Sequence, residues 1–86
     1  MSAIETVNGV TFDPASLFFE YVGVDTDAKP FCDESWIHPA PSSFQEAKDY
    51  ARAMCERAPL VTFIRIRTQV TDDLSIRVAT VWKGAE

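Results

Sequence analysis

The run Leu60-Val61-Thr62-Phe63-Ile64-Arg65-Ile66-Arg67-Thr68-Gln69-Val70, the break Thr71-Asp72-Asp73, and the run Leu74-Ser75-Ile76-Arg77-Val78-Ala79-Thr80-Val81-Trp82-Lys83 together decide how this chain folds. Apolar and polar residues alternate on both sides of the break, the period-two pattern of paired strands that each turn one face to a core. A three-residue connection pairs Val70 with Leu74, Thr68 with Ile76, Ile66 with Val78 and Ile64 with Thr80. That register gathers the aliphatic side chains on one face, with Trp82 extending it. A two-residue connection would set Arg67 against Val78 and mix the faces, so the first register is the expectation. The reverse face then carries Arg65, Arg67, Arg77 and Lys83, interleaved with Phe63, Ala79 and Val81, and Arg67 lies opposite Arg77.

Just upstream, Pro41-Ser42-Ser43 leads into Phe44, and Ser43 with Glu46 has the spacing of a capping box. Phe44, Ala47, Tyr50, Ala51, Met54, Cys55 and Ala58 recur at three-and-four spacing, which predicts one amphipathic helix over about 43–58, stopped by Pro59. Further upstream, Leu17 to Val24 is aromatic and β-branched and reads as a central strand, with Glu20 marking its less buried face. Asn8-Gly9, inside Ile4 to Phe12, supplies the positive φ angles of a two-residue hairpin turn, and Asp13-Pro14-Ala15-Ser16 makes a second turn. Asp25 to Pro41 is acidic and proline-rich without a usable period, and is expected to be a long loop. The predicted architecture is α+β, a two-layer sandwich of order β-β-β-α-β-β. One principal helix covers a mixed, mainly antiparallel sheet, and the helix connection returns parallel and right-handed.

The chain has 86 residues, 47% of them hydrophobic, which suits a single compact domain over 1–86. Thirteen acidic residues against eight basic ones give a formal charge of −5. That balance argues against general attraction to nucleic acid or to an anionic membrane, and favours a basic partner. No apolar run reaches the length of a membrane span, and Met1 to Glu5 lacks the basic start of a secretory signal, so a cytoplasmic location with reduced thiols is expected.

Two constellations stand out. The first is the acidic stretch Asp25, Asp27, Asp33 and Glu34, which brackets Phe31 and runs into Trp36. Large apolar anchors beside a negative field are the mixture that protein interfaces favour. The second is the basic face of Arg65, Arg67, Arg77 and Lys83. Like charges directly opposed in a ladder repel, so an acid belongs beside them. Either Glu20 or a carboxylate of the 25–34 segment supplies it, or an external anion such as a phosphate does.

Asp25-Thr26-Asp27 lacks the glycine and closing glutamate of a calcium loop. Cys32, His38 and Cys55 fit no zinc spacing. Cys55 lies on the apolar stripe of the helix, and Cys32 sits beside Asp33 and Glu34, which raise a thiol's pKa rather than activate it. No catalytic motif, metal site or cofactor site is expected. The sequence therefore predicts a non-catalytic, small acidic interaction module that engages a basic protein through the Trp36 segment. Such a module suits an adaptor, or an inhibitor that occupies a basic, nucleic-acid-binding groove of a larger assembly, as a phage-type inhibitor of host defence would. The competing expectations are anion binding on the arginine face and a homodimer formed through an exposed edge strand.

Overall fold

The computed structural model describes residues 4–84; the start of the chain, read above for a signal segment, lies partly outside them. The described chain is an α+β fold of two layers with one α-helix, as predicted. β1 (Glu5–Val7) and β2 (Val10–Phe12) form a small hairpin, and a short 3-10 turn (Pro14–Ser16) leads into β3 (Leu17–Val24). Then come β4 (Pro30–Trp36), α1 (Phe44–Arg57), β5 (Val61–Gln69) and β6 (Ser75–Trp82). The larger sheet runs β4-β3-β5-β6, and every pairing in it is antiparallel.

Two expectations are corrected. The segment Asp25 to Pro41 is not all loop, because Pro30–Trp36 pairs with β3 along its whole length. β4 is an edge strand, exposed except at Phe31, so no buried face imposes an apolar period on its sequence. The second correction follows from the first. With β4 carrying the chain back, the helix connection starts from the opposite end of the sheet, and β5 enters beside β3 antiparallel rather than parallel.

The elements form where local chemistry predicts. Asn8 and Gly9 take φ of 52° and 81°, the left-handed values of a primed hairpin turn. Ser43 caps α1 by accepting a hydrogen bond from Glu46 N at 3.1 Å, while the Glu46 carboxylate accepts from Ser42 Oγ instead of closing the box on the cap itself. Glu5 of β1 accepts the free amide of Phe44 at 2.8 Å, so the small hairpin also caps the helix. Gly23 is required because a Cβ there would strike the Leu60 carbonyl and come within 2.9 Å of Phe31 Cζ.

The core lies between α1 and one face of the sheet. Leu17 and Phe19 of β3, Ile64 and Ile66 of β5, and Val78 and Val81 of β6 meet Ala47, Ala51 and Cys55 of the helix. Tyr50, read as part of the buried stripe, is 43% exposed and donates its hydroxyl hydrogen to His38 O.

The terminal hairpin keeps the predicted register only near its turn. Thr68 pairs with Ile76 and Arg67 with Arg77, but Ile66 then pairs with Ala79 and Ile64 with Val81, because Val78 is an extra, bulged residue. The bulge lets both Val78 and Val81 reach the core. It also reverses the expected facing of everything after it. Val81 turns to the helix, and Trp82 moves to the open face, where its ring lies 4.4 Å from that of Phe63. Lys83 leaves the arginine face altogether and donates from Nζ to Ala58 O at the end of the helix, 2.9 Å away.

Candidate functional site

Among the described residues no element covers the sheet face away from the helix, and strand alternation decides what it shows. One lateral row reads Trp36, Phe18, Arg67 and Arg77 from β4 to β6; the next reads Glu34, Glu20, Arg65 and Thr80; the third reads Cys32, Val22, Phe63 and Trp82. Glu20 sits at the centre. Its Oε1 lies 2.8 Å from Arg65 Nη1 and 3.9 Å from Arg67 Nη1, and Arg65 also stands over the Phe63 ring, 5.2 Å from its centroid. The hydrogen bond from Arg65 holds the Glu20 carboxyl below its ordinary pKa, against the opposing effect of burial. Arg67 is further occupied by Ser75, donating from Nε to Oγ and from Nη2 to the backbone carbonyl, each at 3.0 Å.

Of the four residues assigned to an anion site, Arg65 and Arg67 are therefore neutralised within the fold, Arg77 is exposed on the edge strand, and Lys83 lies elsewhere. The acid placed beside Arg65 and Arg67 is Glu20.

The acidic-aromatic group also separates. Asp25 is consumed by the β3–β4 turn, where its Oδ1 accepts the amides of Asp27 and Lys29 at 2.9 and 2.8 Å. Asp27 lies in the same turn, about 20 Å along the strand from Trp36 at roughly 3.3 Å per residue. Phe31 packs against the core on the helix side, and Asp33 shares that side by alternation. Glu34 and Trp36 remain together on the open face.

What joins them was not legible as a local pattern. The β5–β6 turn brings Asp72 and Asp73 against the same corner, and with Glu34, Trp36 and Phe18 they line a concavity of about 310 Å³. Phe18 is 5% exposed and forms the floor, while Trp36 is 53% exposed and tilts over it with ring centroids 5.3 Å apart. Among the described residues, Glu34, Asp72 and Asp73 have no ion-pair partner within 4 Å. An exposed indole face beside unpaired carboxylates is the chemistry that takes a guanidinium or ammonium group.

No protein-family model, curated protein or solved structure matches this chain.

Among the described residues no group of three His, Cys, Asp or Glu side chains is placed to hold a metal ion, and no helix is long and apolar enough to cross a membrane. Burial, followed by hydrogen bonding to Glu20, pushes the Cys32 thiol above its ordinary pKa. The direction is the one predicted; of the two neighbouring acids expected to raise it, Glu34 contributes after burial and Glu20, and Asp33, which faces the other way, does not. Burial raises the Cys55 thiol as well.

Proposed function

We propose that this chain is a non-catalytic interaction module that holds a basic protein segment at the Trp36 corner of its open sheet face. The single observation behind this reading is the corner itself. A half-exposed tryptophan, seated on a buried phenylalanine, stands beside three carboxylates that no base among the described residues pairs with. A rigid aromatic anchor with unpaired charge gives affinity through the ring and steering through the field. The formal charge of −5 adds to that steering. By the same chemistry the module competes with nucleic acid for a basic groove, which is how it would act as an inhibitor or adaptor of a larger nucleic-acid-handling assembly.

The test is affinity capture from host lysate with the native chain, with Trp36→Ala, and with the Asp72→Asn/Asp73→Asn pair. The native chain should retain a basic protein. Both variants should lose it while unfolding as cooperatively as the native chain. Retention unchanged by Trp36→Ala removes the reading.

A further inference from the structure

The two edges of the larger sheet differ. On β6 the ladder is broken by the Val78 bulge, and the Val78 carbonyl is taken by Asn8 Nδ2 of the small hairpin at 2.9 Å. β4 is paired without interruption from Pro30 to Trp36 on its β3 side, and among the described residues no strand lies on its outer side.

The direction of the outer backbone groups follows from one hydrogen bond. Val24 N donates to Leu60 O, toward β5 and away from β4. Alternation along β3 then turns the amides of Gly23, Tyr21 and Phe19 toward β4, and those of their partners Phe31, Asp33 and Ser35 back toward β3. Cys32, Glu34 and Trp36 consequently present their amides and carbonyls outward, on the strand that carries the Trp36 corner. Of these, the Trp36 carbonyl accepts a 3.3 Å hydrogen bond from Ser35 Oγ.

We propose that β4 accepts an extended basic segment of a partner protein as a fifth strand of the sheet, bonded through the outward backbone groups of Cys32 and Glu34. Charge chooses the occupant. Residues 25–36 carry Asp25, Asp27, Asp33 and Glu34 against the single base Lys29. Antiparallel pairing of β4 with a second copy of itself about its middle sets Asp33 against its own equivalent, and the register centred one residue on sets Glu34 against its own; like charges facing across a ladder repel. A segment with two consecutive basic residues meets Asp33 on one face and Glu34 on the other, while the backbone ladder supplies affinity that depends little on sequence. The inference rests on the interaction reading above and adds how the partner is held.

The probe is a short fluorescein-labelled peptide of alternating Val and Thr with two consecutive Arg at its centre, titrated by anisotropy. Cys32→Pro deletes an outward amide and no β3–β4 hydrogen bond, and edge strands tolerate proline at such positions. Cys32→Ala controls for the lost thiol. The native chain and Cys32→Ala should bind alike, and Cys32→Pro should bind about tenfold more weakly, the effect of one lost hydrogen bond together with its neighbour's distortion.

Equal binding by Cys32→Pro and Cys32→Ala, with Trp36→Ala weakened, overturns strand addition and leaves the Trp36 corner standing. No binding by the native chain overturns strand addition by this class of segment. A self-associated native chain that Cys32→Pro renders monomeric also overturns it, because the edge would then belong to a second copy. Should Cys32→Pro fail to fold, amide hydrogen exchange of the native chain decides. Saturating peptide should slow exchange at Cys32 and Glu34, and unchanged exchange there overturns the proposal.

Discussion

Arg67 and Arg77 face each other across the β5–β6 ladder, and Glu20, two strands from Arg77, is the carboxylate that keeps Arg67 and its neighbour Arg65 in place. Glu20→Gln keeps the shape and removes the charge, leaving two partly buried guanidinium groups without a counterion. The expected cost is about 1–3 kcal/mol in denaturant unfolding. Arg77→Ser does the opposite: it relieves a like-charge contact on an exposed edge strand and should leave stability unchanged or raise it by about 0.5 kcal/mol.

The same carboxylate sets an acid limit. Its pKa is lowered in the folded chain, so its contribution is complete above the ordinary carboxylate value near 4.5 and is lost as pH falls toward the lower folded value. Chemical denaturation from pH 6 downward should show a fall in stability beginning near pH 4.5 that is smaller in Glu20→Gln. An identical slope in both proteins would assign the acid sensitivity to other carboxylates.

Gly23→Ala should be among the most damaging of small substitutions. The added carbon meets the Leu60 carbonyl, which itself accepts the Val24 amide, so the contact cannot relax without loosening the connection into β5. A loss of about 3 kcal/mol, or a failure to accumulate folded protein, is expected.

Ile66→Ala and Tyr50→Ala should separate, although both residues belong to the apolar patterns of the sequence. Ile66 is fully buried between sheet and helix, so its truncation should cost about 2–5 kcal/mol. Tyr50 keeps nearly half its surface in water and contributes one hydrogen bond, so about 1 kcal/mol is expected. Thermal unfolding of the two variants side by side distinguishes them.

These outcomes show where sequence reasoning reached and where it stopped. Burial leaves its mark on sequence, so β5 was legible from alternation, the helix from its three-and-four spacing and β3 from its aromatic, β-branched run, as was the Asn8-Gly9 turn with its positive φ values. β4 has almost no buried side chain, and the same physics that makes a strand readable was silent for it. The nearest signal was Asp25-Thr26-Asp27-Ala28-Lys29, a turn built on one aspartate. The bulge was hidden for another reason. Arg77, Val78 and Ala79 continue the expected alternation, and only the competing claims of Val78 and Val81 on the core force the extra residue. The Trp36 corner was half visible. Glu34 and Trp36 sit on one strand, whereas Asp72 and Asp73 join them only through the strand order, which no local pattern carries.

The bulged residue in β6 has a consequence for how this protein can change over time. Loss of one codon there would rotate everything after it by half a turn, offering the Trp82 indole and the Thr80 hydroxyl to the interior and sending Val81 out to solvent. Codons can be gained or lost far more cheaply between β5 and β6. Length variation should therefore accumulate beside the acidic corner, where it alters what is bound, and be purged from the last strand.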